Sequence, residues 1–570
     1  MAEEVWMLQT KKADFKQIGA RFRIDPVTAR IIRNRGIEGE AAIDRYLNGT
    51  LDDLYDPMLL KDMERAVSIL CEAVDTGKKI RIVGDYDIDG VCSTYILLQA
   101  FERLGSDVDF EIPDRIKDGY GINESIIEQA HADGVEVILT CDNGISAFHQ
   151  VELAKKYGMT VVITDHHEVP LDGEKEKIPP ADAVIDPKQA DCPYPFPEIC
   201  GAVVAYKLVQ VLYARRGVPQ MEWLDLLEFA AIATVGDVMK LQDENRILVK
   251  YGLKKMAQTK NLGLRRLAEK SNLDLGAITA YHIGFVIGPC LNAGGRLKTA
   301  KEALALLRAQ SEEEAERLAE ELKELNDTRK DMTEQGTEAA KLQVESWYQK
   351  DKVLVVFLPE CHESLAGIIA GRLREYYQKP AIVLTRGEEA VKGSGRSIDE
   401  YHMFKKLTEV SDLLLKFGGH PLAAGLSLEE KNIDEFRRRL NENAGLTEED
   451  FKAKVWIDVP MPVGYVTERL VRELSCLEPF GQGNEKPLFA EKSLRIRASR
   501  VLGRNRNVVK MTLEETDGHA IEALYFGDGT AFEEERAGRR EIDVVYYPDI
   551  NEYNGRKTLQ AVIRRYKFRG

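Results

Sequence analysis

Four short acidic motifs, GDYDIDG (84–90), TCDNG (140–144), TDHHE (164–168) and TVGDV (234–238), recur in order within the first half of the chain. Their carboxylates and imidazoles are the donors that hard divalent cations take: Mg²⁺ and Mn²⁺ prefer carboxylate oxygen, and Mn²⁺ also accepts imidazole. A metal pair about 3.5–4 Å apart needs several such ligands with at least one shared. Asp87, Asp89, Asp142, His166 and Asp237 would supply that set for two Mn²⁺ or Mg²⁺ ions, with Asp142 as the bridging candidate. Asp165 is expected to orient His166, and His167 to reach the phosphoryl group or a metal. Asp85 is either an outer ligand or a loop cap. Taken singly, each acid reads as a turn residue or a helix cap. The ordered set of four, each at an expected strand or helix end, points to a two-metal phosphoesterase.

Three of the motifs follow apolar runs of strand length, IRIV (80–83), VEVIL (135–139) and TVVI (160–163). Acids that end adjacent parallel strands project over one sheet edge, where ligands of open α/β sheets bind. Strands alternating with helices over 56–270 predict a doubly wound parallel sheet for the catalytic domain. Residues 1–55 read as a helical leader. Residues 271–348 read as a helical connector, in which Ala315, Leu318, Leu322 and Leu325 recur at helical spacing. Residues 349–445 read as a second, smaller α/β unit, and 446–570 as a small β-barrel with a basic, aromatic end.

The motifs resemble those of the DHH phosphoesterase superfamily and, within it, the branch of single-stranded-DNA-specific 5′–3′ exonucleases. The likeness continues through IPDRIKDGYGIN (112–123), CGAVVAYKL (200–208), LNAGGRL (291–297), KGSGRSI (392–398), FGGHPLAAG (417–425) and PFGQGNEKPLF (479–489). It implies a DHH domain, a connecting helix marked by Asn326 and Arg329, a DHHA1 domain that grips substrate, and a C-terminal OB-fold for single strands. It also implies a pocket for the 5′-terminal phosphate built from Arg115, Arg296, Ser394 and Arg396, with Asn292, Gly418, Gly419 and His420 on the substrate path. Glycines beside Ser394, Arg396 and His420 suit close backbone approach to phosphate. A helicase and a single-strand-binding protein are implied partners, in DNA repair and recombination. Val83, Gly294, Gly395 and Cys361-His362-Glu363 depart from the family pattern without removing a ligand.

A formal net charge of −16 is unusual for a binder of polyanions. Its distribution matters more than its sum: residues 486–570 carry 17 Lys and Arg against 13 Asp and Glu, so the acid lies elsewhere. Eight cysteines without CxxC spacing read as free thiols of a reducing compartment. No basic start with an apolar run, and no apolar stretch approaching 18 residues, predicts a cytoplasmic chain with no membrane span, and a monomer is expected. No GxxxxGK[ST] occurs, which excludes a P-loop motor. A phosphodiesterase of short oligoribonucleotides or cyclic dinucleotides would not need the third unit, and a silent single-strand-binding scaffold would not need the acids.

Overall fold

The structure, a computed structural model, describes residues 4–115, 119, 121–553 and 555–569; part of the 112–123 motif lies outside them. Its first sheet has five parallel strands, β1 (Ile80–Val83), β2 (Val108–Glu111), β3 (Val137–Cys141), β4 (Thr160–Thr164) and β5 (Ala183–Ile185), in the order β2-β1-β3-β4-β5. β1, β3 and β5 are buried at every position, as a sheet covered on both faces requires. One face packs α1 (Ile88–Arg103), α2 (Gly201–Arg215) and α3 (Leu227–Gly236) into the largest core, and the other closes a smaller core of Ile126, Ile138, Val151, Val161 and Ile163.

α4 (Gly288–Leu297) leads toward α5 (Glu312–Gln343), a 32-residue helix that bridges two lobes. Leu318, Ala319 and Leu322 of α5 belong to the first core, whereas Ala340 and the following Val344 belong to the core of the second lobe. A single helix buried at both ends in different cores fixes the separation of the lobes. The second lobe holds β6 (Leu354–Phe357), α6 (Ala366–Tyr377), β7 (Ala381–Arg386), β8 (Val391–Arg396), β9 (Leu414–Gly419) and β10 (Ala423–Leu428), with strand order β9-β10-β8-β7-β6. β6 and β7 run parallel and the remaining pairs antiparallel.

The third unit is a closed barrel. Phe489–Leu502 pairs with both Val508–Glu514 and Glu541–Tyr553, and Ala520–Phe526 joins Arg556–Arg569, so the sheet returns on itself. The first 55 residues do not stand apart as a helical leader. Glu4–Leu8 is a strand paired in parallel with Ala453–Ile457, and Ile31, Ile32, Ile43 and Tyr46 from the helices that follow enter the barrel core. Arg35 adds a paired contact to Asp458 and Asn34 donates to the Asp458 carbonyl.

Arg246 ties the three regions together. Buried to 2 % exposure, it donates to the carbonyls of Tyr46, Leu477 and Cys476 at 3.1, 2.8 and 2.7 Å and lies 4.0 Å from the Tyr46 ring centre. One guanidinium thus bonds three carbonyls at a junction of catalytic domain, N-terminal helices and barrel, sharing that of Leu477 with Asn484.

Candidate active site

The expected acids converge over the carboxyl ends of β1, β3 and β4. Asp87 caps the N-terminus of α1 by accepting the N–H groups of Asp89 and Gly90 at 2.9 and 3.2 Å. Asp89, in the first turn of α1, accepts two N–H groups at the N-terminus of α2, from Gly201 and Ala202, both at 2.7 Å. The partial positive charge of that helix end favours a carboxylate. Asp142 follows β3 in the left-handed region, with φ 61°, a conformation Asp tolerates better than most residues. Asp237 ends α3 rather than a strand.

Three overlapping groups result, each with ligand atoms within 4.8 Å of one another: Asp85, Asp87 and Asp142; Asp142, His166 and His167; and Asp89, His166 and Asp237. His166 Nε2 lies 3.1 Å from Asp142, 3.4 Å from Asp89 and 3.8 Å from Asp237. Asp142 joins two of the groups, the arrangement a shared ligand needs. Asp85 accepts the Gly121 N–H at 3.3 Å while also facing Asp87 and Asp142, so it serves the loop and the cluster together.

Crowding sets the electrostatics. Burial first, then the neighbouring carboxylates, raises Asp85, Asp87 and Asp142 above the usual carboxylate range and pushes Asp237 up to about 8. Burial lowers His166, which favours its neutral, ligating form. A nest of buried oxygen donors that resists ionisation by itself, with a neutral imidazole aimed into it, fits a pair of divalent cations.

Asp165 differs from expectation. Its Oδ1 meets His167 Nδ1 at 2.7 Å and reaches His166 only through that residue's backbone N–H at 2.8 Å. Its other oxygen accepts from Ile145 at 2.9 Å. The carboxylate therefore orients the ring of His167, not that of His166. Against the effect of burial, this hydrogen bond raises His167 to about 9, while the same contact holds Asp165 below its ordinary range.

Beside the acids lies a cleft between the lobes, about 460 Å³, lined by Tyr86, Arg115, Ser394, Lys416, Phe417 and Gly418 among others. Arg115 stacks over the Tyr86 ring at 4.8 Å. Arg296, from α4, donates to the Ser364 carbonyl at 3.0 Å, and Arg396, ending β8, donates to its neighbour's carbonyl at 2.8 Å. Burial, with Arg115, Arg329 and Arg396 acting in the same sense, lowers Arg296 to about 10. Burial followed by Arg374 and Arg115 lowers Arg396. Guanidiniums that lower one another beside a cleft form an anion site.

The glycine motifs lie on strands and a hairpin. KGSGR is strand β8, where a methyl at Gly393 would come 2.5 Å from Leu384 and one at Gly395 3.1 Å from Met403. FGGHPLAAG is the β9–β10 hairpin; Gly418 lines the cleft, Gly419 has φ 147°, and the His420 N–H donates to Ala423 across the turn. His420 is exposed there and is not among the cleft-lining residues. Asn292 lies on α4 with a buried, unpartnered Oδ1, in a smaller depression shared with Arg296 and Arg329. Sequence reasoning missed Lys416 and Phe417 as cleft residues.

Fold and site together define a DHH phosphoesterase with an appended DHHA1 lobe and barrel. A DHH family N-terminal domain profile matches residues 79–234, a DHHA1 domain 350–445 and a RecJ OB domain 457–565. The single-stranded-DNA-specific exonuclease RecJ of Bacillus subtilis is 36% identical over 98% of this chain and 70% of its own length. Crystal structures of RecJ from Thermus thermophilus with Mn²⁺ and with Mg²⁺ superpose with TM-scores of 0.84 and 0.78, at 28% and 27% identity, over 99% of this chain and 80% and 78% of theirs. The chain belongs to the RecJ family of single-stranded-DNA-specific exonucleases.

Proposed function

We propose that the protein hydrolyses single-stranded DNA from the 5′ end, releasing 5′ mononucleotides. The carrying observation is the juxtaposition of a buried Asp/His cluster with a cleft between two lobes to which Arg115, Lys392, Ser394 and Lys416 contribute. Asp87, Asp89, Asp142, His166 and Asp237 would hold two Mn²⁺ or Mg²⁺ ions, with Asp85 supporting them. Such ions, when bound, lower the pKa of a coordinated water and neutralise charge on the phosphoryl oxygens. The chain's own groups supply the rest. His167, kept protonated by Asp165, donates to a phosphoryl oxygen as negative charge develops there. Arg115, Arg296, Arg396 and Ser394 bind the terminal phosphate, so that the first linkage lies over the acids and the enzyme works inward from that end. The barrel, whose strand faces and basic termini suit stacking and phosphate contact, takes the strand further on. A helicase and a single-strand-binding protein as partners, a monomeric state and a cytoplasmic place belong to the same proposal.

The test is digestion of 5′-phosphorylated single-stranded DNA with Mn²⁺, beside its duplex, an RNA version, a 5′-hydroxyl copy and a 3′-labelled copy. Early 5′ mononucleotide from single-stranded DNA alone, abolished by Asp142→Ala, is the expected result, and Arg396→Gln should erase the preference for a 5′-phosphate. Binding without turnover, or preference for very short RNA, would overturn it.

A further inference from the structure

Next to the acid cluster, an exposed pair of rings is built into the fold. Tyr281 and Phe285, 63% and 66% exposed, stack with ring centres 4.7 Å apart and planes 26° from parallel, and His282 meets the edge of Tyr281 at 5.9 Å. They stand on one short helical segment, Ala280–His282 continuing as a π-helical turn, Ile283–Ile287. Ala280, Ile283 and Ile287 turn inward and are buried, which leaves the rings on the outer face. The segment is pinned at its start, where Thr279 and His282 cap one another. Single π turns concentrate at functional sites because the extra residue re-aims side chains.

The segment packs on the parts of the chain that carry the proposed ligands. A methyl at Gly288 would come 3.3 Å from Ile88, which sits between Asp87 and Asp89, and one at Gly284 would come 3.7 Å from Val235, two residues before Asp237. Val238, directly after Asp237, is 66% exposed with φ 57°, a conformation a β-branched residue adopts only under constraint. A depression of about 100 Å³ lined by Gly236, Gly284, Gly288, Asn292, Arg296 and Arg329 joins the segment to the arginine cluster. Large aromatic faces left in water beside a phosphodiester site have one ligand that matches them, an unpaired nucleobase, because every base offers a π-face and a single strand leaves it uncovered.

We infer that Tyr281 and Phe285 form a stacking platform for a base of the strand crossing the acid cluster, which makes them positioning residues for hydrolysis and a source of single-strand selectivity. A base inside a duplex has both faces covered by the stacked pairs beside it. The inference rests on the activity proposed above.

The experiment walks one abasic site through a 5′-phosphorylated, 3′-fluorescent 12-mer and reads Kd by anisotropy in Ca²⁺, for the wild type, Tyr281→Ala/Phe285→Ala and Phe285→Trp. An abasic site at one or two adjacent positions should weaken wild-type binding by roughly tenfold, the scale of base–aromatic stacking. The double variant should bind the intact strand roughly tenfold more weakly and lose that position dependence, Phe285→Trp should keep it, and 2-aminopurine at the sensitive position should be quenched in the wild type only. Both rings being exposed, the double variant should melt with the wild type. A flat abasic profile in the wild type, or the same profile in the double variant, overturns the platform. A wild type that hydrolyses no single-stranded DNA in Mn²⁺ overturns the activity as well, which separates the two failures.

Discussion

Replacing a buried acid of the cluster should stabilise the metal-free protein while disabling it. Asp142→Asn is the sharpest case. Asp142 is 2% exposed, its carboxylate lies within 4.8 Å of oxygens from Asp85 and Asp87, and Asn tolerates its left-handed backbone. Two like charges at that separation repel by about 3 kcal/mol at an effective dielectric of 20. Protonation within the cluster relieves part of this, leaving about 1–2 kcal/mol to be gained at pH 8, or about 4 °C in melting temperature for a domain of this size. The sign follows from linkage. Asp237 keeps its proton up to about pH 8 in the fold but gives it up near 3.8 when unfolded, so the metal-free protein loses stability as pH climbs through that interval. Scanning fluorimetry at pH 8 should show the variant melting above wild type in EDTA. In Mn²⁺ at 100 times its Kd the wild type should gain about 2.7 kcal/mol and the variant far less. A variant that melts below wild type in EDTA, or gains the same Mn²⁺ shift, would refute the reasoning.

Asp165→Asn should return the His167 titration from about 9 toward the ordinary imidazole value, read by NMR of the metal-free protein. With its folded value raised, the stabilisation from His167 is complete below about pH 6.5 and fades as pH rises through 9, and the variant should lose that dependence. Gly201→Ala would set a methyl 2.7 Å from the Asp142 Cβ and disturb the N–H held by Asp89, so nuclease turnover should fall at least about a hundredfold in a protein that still folds, as judged by circular dichroism. Arg246→Met takes the guanidinium from the Tyr46 and Cys476 carbonyls, whereas Leu477 keeps Asn484, and a loss of about 3 kcal/mol should appear as a separate, earlier transition of the barrel in calorimetry.

Much of the site was legible in the chain because its signals are local. Apolar runs of four or five residues followed by Asp specify a buried strand and what stands at its end, and IRIV, VEVIL and TVVI did so for Asp85, Asp87, Asp142 and Asp165. The acidic set also named its cation class, since donor chemistry belongs to residue type. Other features depended on distant partners. The choice of His167 over His166 as the partner of Asp165 turns on ring orientation, which packing decides. Gly393 and Gly395 read as positions for close backbone approach to phosphate, and in the strand Leu384 and Met403 also crowd against them and leave no room for a side chain. Nothing local announces that Glu4–Leu8 will pair with Ala453–Ile457, or that Arg246 will find carbonyls more than 200 residues away. Sequence by itself determined the strands, the acids at their ends and the divalent-cation chemistry, since each depends on neighbours a few residues apart. Tertiary structure alone decided the His167 pairing, the place of Lys416 and Phe417 in the cleft and the clamp of the N-terminal segment on the barrel, since each is a meeting of side chains that only the packed cores bring within reach.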